Sequence, residues 1–199
     1  MDVDIDFKTD FDPLEHFSQA VRASQVNNEK LTKHPAGAYF QSIPVDKISG
    51  MSAIPYKQAE QLGYFKIDFL HLSAVDDFDK YLETKSELRQ LAHIEPDWDL
   101  LLSAAVVVKL FQIHTRAELL FKLKPQSVDE LADCIALIRP AKRLMVEPYI
   151  KMTGEERKAF RSTLYAKPED GSYYYKRPHA IAYAMTVVIQ LHLIKAGLL

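Results

Sequence analysis

The chain has 199 residues, of which 48% are hydrophobic and 26% charged, enough to bury a core in one domain or two small ones. Its single cysteine, Cys134, excludes an intrachain disulfide and a cysteine-based zinc site, and its apolar spacing predicts a buried structural thiol. No apolar run reaches membrane-spanning length and the acidic start does not suit a secretory signal, so we expect a cytoplasmic protein without a membrane partner.

The first 70 residues carry the alternating pattern of strands. Apolar and acidic residues alternate over residues 2–7, the period of a strand with one apolar and one acidic face. Residues 12–30 have a weak helical periodicity and are predicted to form a short helix. Further strands are predicted over residues 37–43 and 64–69, and in the second of these Lys66 and Asp68 face away from the apolar side chains.

From residue 73 onward the apolar spacing becomes helical. Residues of the N-cap type, and a proline at the start of the last segment, predict helices over residues 97–112, 127–138, 153–165 and 178–195. The pattern therefore predicts an α+β fold, in which a small mixed β-sheet region is followed by a helical region, with a boundary near residue 95.

Charge is divided unevenly along the chain. Residues 1–100 hold 10 Lys/Arg against 18 Asp/Glu, whereas residues 109–177 hold 14 against 9, and the whole chain has a net charge of −2. This division suits a protein that binds cations in one place and phosphates in another, and it fits two ordinary solvated surfaces equally well.

The acidic strand is the first candidate site. Asp2, Asp4 and Asp6 would lie on one strand face, where like charges repel and Asp is a poor strand former. Magnesium ions offset such repulsion, and two of them can clamp the attacking and leaving oxygens of phosphoryl transfer. Such a site needs two or three carboxylates on adjacent strands, and Asp68 on its own short strand is a candidate for the third. The same pattern fits a solvated edge strand or a metal-dependent sugar transferase. Lys66-x-Asp68 is a poor match to nucleases that pair a carboxylate and a lysine near a metal, because their usual order is acid and then lysine.

Five short motifs together touch nearly the whole chain. They are Asp2-Val-Asp-Ile-Asp-Phe7; His34-Pro-Ala-Gly37; Gly63-Tyr-Phe-Lys-Ile-Asp-Phe-Leu70; Leu110-Phe-Gln112 with Leu119, Leu123, Pro125 and Ile138-Arg-Pro140; and Lys176-Arg-Pro-His-Ala-Ile-Ala-Tyr-Ala184 with Gln190 and Lys195. In sequence and in order these motifs resemble those of the C-family DNA polymerases of bacteria, the α subunit of DNA polymerase III.

The resemblance implies a catalytic site that holds two Mg²⁺ ions on Asp2, Asp4 and Asp68, with Asp6 as a neighbour. It implies that a primer 3′-hydroxyl attacks the α-phosphate of a deoxynucleoside triphosphate and that pyrophosphate leaves. It also implies a set of nucleotide- or phosphate-binding side chains, which are Lys66, His34, Arg139, Lys176, Arg177 and His179.

DNA binding is predicted for Lys142, Arg143 and Tyr174. Tyr174 lies in a run of three tyrosines, Tyr173 to Tyr175, beside Lys176 and Arg177, a pattern that suits stacking on bases and contacts to phosphates. The same run fits an aromatic loop packed on the helical region at least as well.

The chain also departs from the family pattern. We expect a strongly shortened relative that lacks the N-terminal exonuclease-like domain, the palm Gly-Ser motif, most of the thumb and part of the fingers. Residues 1–95 would form a palm-like metal-binding region with a shortened thumb-like insert at about 8–32, and residues 96–199 a helical fingers-like region.

Two functions follow from this resemblance. The first is a miniature DNA polymerase of viral or mobile-element origin, in the host cytoplasm if viral, which acts on a DNA primer–template and deoxynucleoside triphosphates, with a second replication polypeptide as a partner. The alternative is a catalytically inert module that binds DNA or a replication protein as a regulator or decoy, and a metal-dependent nuclease is a third hypothesis.

Overall fold

A computed structural model describes residues 12–69, 72–170, 172 and 174–199. The predicted strand over residues 2–7, and with it Asp2, Asp4 and Asp6, lies outside the described residues, as does Tyr173. The chain divides into two compact units between Ser73 and Ala74. We call the described residues before this division the sheet unit and those after it the helical unit. The assignment of residues 1–95 and 96–199 to two functional regions remains a prediction.

The described part of the sheet unit contains a mixed β-sheet. Its strands are β1 (Val21–Asn27), β2 (Lys30–Tyr39), β3 (Met51–Pro55) and β4 (Ile67–Asp68), in the order β3-β1-β2-β4. Strand β2 is antiparallel to both β1 and β4, whereas β3 is parallel to β1. Together with the helices this confirms the predicted α+β class with a small mixed sheet.

The predicted helix over residues 12–30 is wrong. Only α1 (Pro13–His16) is helical there, and the rest of the segment enters β1 and a hairpin with β2. Asn28 and Glu29 connect the two strands with φ angles of 49° and 64°, the left-handed pair that a two-residue hairpin turn requires. The ladder between β1 and β2, which is not visible as a local pattern, outweighs the weak helical periodicity.

The other two predicted strands are found in part. The strand predicted over 37–43 begins earlier and ends at Tyr39, and of the strand predicted over 64–69 only Ile67 and Asp68 are paired. The short helix α2 (Tyr56–Gln61) follows β3. Among the described residues of the sheet unit, Ala23, Tyr39, Ile43 and Ala59 form a buried apolar cluster.

The helical unit is built from short helices and one long one. Three 3₁₀ segments, at Asp77–Lys80, Trp98–Leu102 and Pro140–Met145, connect some of them. The helices are α3 (Ser73–Asp76), which begins at the division, α4 (Lys85–His93), α5 (Ala104–Val107), α6 (Ala117–Leu123), α7 (Val128–Leu137), α8 (Val146–Lys151), α9 (Gly154–Leu164) and α10 (Arg177–Lys195).

Helices α7 and α10 form the core of the helical unit. Every residue from Leu131 to Leu137 is buried, Cys134 among them, as predicted for a structural thiol. Helix α10 is apolar around most of its circumference, which is the pattern of a helix surrounded by protein. None of the helices in the described part of the chain is both long and apolar enough to cross a membrane.

Local capping signals set three helix starts as predicted. The side chains of Ser127 and Thr153 accept the backbone N–H groups of Glu130 and Glu156, and Pro178 lies in the first turn of α10. The continuous helix predicted over 97–112 is wrong, since a 3₁₀ segment, the four-residue α5 and a turn occupy it. A run of three β-branched valines within it has low helix propensity.

Candidate functional site

Two of the motifs meet in the sheet unit. Gly37 on β2 is the antiparallel partner of Asp68 on β4, and Ala38 is the partner of Ile67. This register places the His34-x-x-Gly37 segment beside the Lys66-x-Asp68 segment, although about 30 residues separate them along the chain. The sheet therefore gathers His34, Lys66 and Asp68 into one cluster.

His34 is the fixed member of this cluster. Its side chain is fully buried, and its Nδ1 accepts the backbone N–H groups of Gly37 at 2.9 Å and Ala36 at 3.3 Å. The other ring nitrogen, Nε2, lies 3.1 Å from Lys66 Nζ. The turn of backbone after His34 thus sets the orientation of its ring.

Lys66 lies between His34 and Asp68. Its ammonium forms an ion pair with Asp68 Oδ1, and the two side chains are only 13% and 16% exposed. The ring of Tyr56 covers the ammonium, with its centroid 5.2 Å from Lys66 Nζ and 5.0 Å from the centroid of the His34 ring. Sequence reasoning missed Tyr56, which belongs to none of the motifs.

The surroundings of position 37 explain why a glycine lies three residues after His34. A Cβ atom at position 37 would lie 2.6 Å from Lys66 Cδ and 2.9 Å from His34 Nδ1. Contacts that short do not occur in folded proteins, so only a glycine lets the Lys66 side chain cross the backbone of β2 at this point.

The segment that contains β4 buries its charged face. The predicted alternation is confirmed, but Phe65 and Ile67 are 67% and 38% exposed while Lys66 and Asp68 are largely covered. Burying charges costs free energy, and the mutual pairing of Lys66 and Asp68 offsets only part of that cost. An ordinary strand would cover Phe65 and Ile67 instead.

Tyr39 adds a second polar group beside Asp68. Its side chain is fully buried, and in the described part of the chain its hydroxyl has no hydrogen-bond partner. Burial raises the pKa of Tyr39, and the negative charges of Asp68 and Glu60 raise it further. The hydroxyl therefore remains protonated and able to donate.

Of the three predicted metal ligands, only Asp68 belongs to the residues that the structure describes. Asp2 and Asp4 lie outside the described residues. Among the residues that are described, no three or more His, Cys, Asp or Glu side chains converge as metal ligands would. A two-ion site on Asp2, Asp4 and Asp68 stays a prediction.

The helical unit brings together a second set of motif residues. The Arg139 guanidinium donates to Gln112 Oε1 and to the Tyr175 hydroxyl, and it lies 4.0 Å from the centroid of the Tyr175 ring. The same hydroxyl approaches Gln112 Oε1 at 3.1 Å. Three segments that are far apart in sequence therefore hold the predicted phosphate ligand Arg139 in one orientation.

Gln112 belongs to one of the five motifs, but it was not predicted as a site residue. Its φ of 64° lies in the left-handed region, which is unfavourable for a residue with a side chain. The preceding N–H, of Phe111, donates to Gln190 Oε1 on α10 at 2.7 Å. Gln112 and Gln190 thus hold the turn that faces Arg139, and their occurrence in two of the motifs was the signal that could have identified them.

The three predicted DNA-binding residues have different surroundings. Lys142 is buried, and its ammonium donates to the main-chain oxygens of Ala166 at 2.7 Å and Thr163 at 3.4 Å, at the end of α9. Burial lowers the pKa of Lys142. Its ammonium also lies 5.7 Å from the ring centroid of Tyr174, whereas Arg143 is exposed. This geometry gives Lys142 a structural role, and DNA contacts by the three residues stay a prediction.

The remaining predicted residues lie at the start of α10. Lys176 is exposed at the N-cap position, and His179 is partly buried in the first turn. Arg177 donates to Asp129 Oδ1 at 2.6 Å, an exposed ion pair that contributes little stability. Nucleotide binding by these side chains stays a prediction.

Comparison with known proteins supports the relationship that the motifs indicated. Residues 71–169 match the finger domain of the bacterial DNA polymerase III alpha subunit. The chain is also 31% identical over 138 residues to the DNA polymerase III subunit alpha of Aquifex aeolicus, across 59% of this chain and 12% of that protein. The chain thus spans about an eighth of the length of that relative. It is a protein related to the α subunit of bacterial DNA polymerase III.

Proposed function

We propose that the chain is a DNA polymerase-like nucleotidyltransferase that acts in DNA replication on a primer–template and deoxynucleoside triphosphates. The observation that carries this proposal is the inverted burial around β4, where Lys66 and Asp68 are covered and Phe65 and Ile67 are exposed. The match of residues 71–169 to a polymerase finger domain supports the same reaction class. A viral or mobile-element origin, and a second replication polypeptide as a partner, belong to the proposal as well.

The covered charges suit a site that handles phosphates. A buried carboxylate is useful where a cation must be held, and the Lys66 ammonium pairs with Asp68 at this point of the sheet. His34 and Gly37 fix the path of the Lys66 side chain, so its ammonium points at one place instead of sampling many. Such positioning is the main contribution a protein makes to phosphoryl transfer.

Asp68 fits the donor chemistry of magnesium. One carboxylate oxygen accepts the Lys66 ammonium, and in the described part of the chain the other accepts no hydrogen bond, so it remains available for an oxygen-seeking ion. Two ions would be held by Asp68 with Asp2 and Asp4, and when bound they would neutralise charge on the attacking and leaving oxygens. The 3′-hydroxyl would lose its proton to solvent water, its oxygen would bond to the α-phosphorus, and the bond from that phosphorus to the leaving pyrophosphate would break.

Primer extension with purified protein tests this proposal. We expect extension in the presence of Mg²⁺, and we expect Asp4→Asn and Asp68→Asn each to reduce it to background. Asp99→Asn, an exposed aspartate of the helical unit, is the matched control and should extend like the parent chain. Extension that survives both Asp4→Asn and Asp68→Asn would contradict the assignment of the site.

The ion pair between Lys66 and Asp68 favours a second candidate function, that of a binding module without catalytic activity. Since the Lys66 ammonium already neutralises Asp68, the cluster is also compatible with a chain that binds DNA or a replication protein without chemistry. Calorimetry with MgCl₂ separates the two functions. Binding that Asp4→Asn and Asp68→Asn abolish would argue for the enzyme, whereas DNA binding without measurable Mg²⁺ binding would argue for the inert module.

A further inference from the structure

Tyr56 is placed by the junction between β3 and α2. Pro55 ends β3 and is the N-cap of α2, with φ and ψ angles of −58° and 145°, so Tyr56 is the first residue of the helix. Because the ring of a proline fixes φ, the chain enters α2 with little conformational freedom. The direction in which the Tyr56 side chain leaves the backbone is therefore set by local structure.

The ring of Tyr56 contacts two members of the cluster in the sheet unit. Its centroid lies 5.2 Å from Lys66 Nζ and 5.0 Å from the centroid of the His34 ring, and the two ring planes are inclined at 74°. The second contact is the edge-to-face arrangement that aromatic pairs prefer. The Lys66 ammonium thus has the Asp68 carboxylate, His34 Nε2 at 3.1 Å and the Tyr56 ring as neighbours.

The ring adds a kind of attraction that the ion pair does not provide. The electron-rich face of an aromatic ring attracts an ammonium, most strongly where the ammonium is shielded from water, and the Lys66 side chain is only 13% exposed. A pair with one carboxylate oxygen leaves the flexible four-carbon lysine side chain free to rotate about that contact, whereas a second contact restricts the rotation. An aliphatic side chain at position 56 would shield the ammonium from water without attracting it.

We propose that Tyr56 is a positioning residue for Lys66, whose ammonium is held beside Asp68 and His34 by the ring of Tyr56 and not by its hydroxyl. The consequence for primer extension rests on the proposed function, whereas the restraint on Lys66 does not. Since phosphoryl transfer depends on the placement of charged groups, loosening the ammonium should lower the rate constant kcat of extension.

Three replacements at position 56 separate the ring from the hydroxyl and from simple packing. Tyr56→Phe keeps the ring, Tyr56→Leu removes it, and pentafluorophenylalanine at position 56 keeps the shape of the ring while withdrawing electrons from its face. We expect kcat to fall about fivefold with leucine or pentafluorophenylalanine, the loss of one cation–π contact, and to stay within twofold with phenylalanine. The fluorinated ring preserves the packing, so the comparison holds even where Tyr56→Leu impairs folding.

Lys57→Gln is the matched control. The Lys57 ammonium is 5.9 Å from the centroid of the same ring, but its side chain is exposed, so extension by this variant should stay within twofold of the parent chain. The control separates the loss of any positive charge near the ring from the loss of the restraint on Lys66.

A second measurement does not depend on catalysis. In protein labelled with ¹³C-lysine, NMR relaxation reports the order of the Lys66 Cε methylene group on the picosecond to nanosecond timescale, and Lys66→Met assigns its signal. We expect the Lys66 Cε group to lose order with leucine or pentafluorophenylalanine at position 56, towards the value of the exposed Lys57, and to keep it with phenylalanine. A purely structural role of Tyr56 would not follow the electronic character of the ring.

The outcomes separate this proposal from the proposed function. Loss of Lys66 order that follows the ring face supports the positioning role. That role is overturned by an effect of Tyr56→Phe as large as that of Tyr56→Leu, by a pentafluorophenylalanine variant that behaves like Tyr56→Phe, or by unchanged Lys66 order in all three. A parent chain that extends no primer, with Lys66 order that still follows the ring, would remove the proposed function and keep the positioning role.

Discussion

Gly37→Ala is the sharpest test of how the cluster in the sheet unit is built. The new methyl group would lie 2.6 Å from Lys66 Cδ, 3.0 Å from Lys66 Cγ and 2.9 Å from His34 Nδ1. Lys66 cannot move aside freely because its ammonium is paired with Asp68, and the His34 ring is fully buried. Overpacking of this kind costs about 1–3 kcal/mol, so we expect the free energy of unfolding to fall by that amount.

Urea denaturation followed by circular dichroism measures the effect. With a denaturant slope of about 1–3 kcal/mol/M, the midpoint should fall by roughly 1 M while the slope stays the same. The fluorescence of Trp98, which lies in the helical unit, reports whether both units unfold together. Gly154→Ala is the matched control, since a Cβ there meets no atom within 4 Å and its φ is negative, so it should not destabilise the protein.

A double-mutant cycle shows whether the clash with Lys66 is the cause. Lys66→Ala removes Cγ and Cδ, so Gly37→Ala should cost less in that background, and the two substitutions should couple by at least about 0.5 kcal/mol. Equal costs of Gly37→Ala in both backgrounds would refute the explanation that the glycine exists to let the lysine pass.

Three further predictions concern the helical unit. Thr153→Ala removes the reciprocal cap of α9, in which the side chains of Thr153 and Glu156 each accept the other's backbone N–H, and it should cost about 1 kcal/mol of stability by thermal unfolding. Burial raises the pKa of the Cys134 thiol, so the native protein should not react with a thiol reagent at pH 8 and should react once denatured. Asp133→Asn should cost about 3 kcal/mol, because it takes away a buried charge that accepts Arg161 Nε–H at 2.8 Å.

Each of these three predictions has its own contradicting result. Unchanged thermal unfolding in Thr153→Ala would mean that the cap adds no stability, with the exposed Ser162→Ala on the same helix as the reference. Rapid labelling of Cys134 without denaturant would show that α7 opens readily. An Asp133→Asn protein of normal stability would mean that the hydroxyls of Tyr149 and Tyr165, which also donate to Asp133, satisfy a neutral side chain equally well.

Features that depend on interactions between residues close together in the chain could be predicted from the sequence alone. The starts of α7, α9 and α10 were predicted because a cap or a proline acts on backbone groups within a few residues of itself. The relationship to the polymerase III α subunit also came from short motifs in order, and the match of residues 71–169 confirms it. The roles of Asp2 and Asp4, and the two Mg²⁺ ions, remain predictions from that resemblance.

Features that depend on pairing between distant segments did not follow from the residues. Residues 21–27 form a strand because β2 and β3 pair with them on either side, and no local pattern carries that information. The alternation around β4 could be read from the sequence. Which of its two faces is buried could not, since burial of Lys66 and Asp68 depends on the neighbouring segments of the sheet.

The two candidate clusters, around Lys66 and around Arg139, were also only partly predictable from the sequence. Residue types and motif order were enough to select His34, Lys66, Asp68 and Arg139 as candidates. Only the tertiary structure placed Gly37 under Lys66, and Gln112 and Tyr175 around Arg139, because each of these contacts joins segments about 30 or more residues apart. The sequence by itself determined which chemistry is present, and the packing of distant segments decided which of these side chains are oriented together.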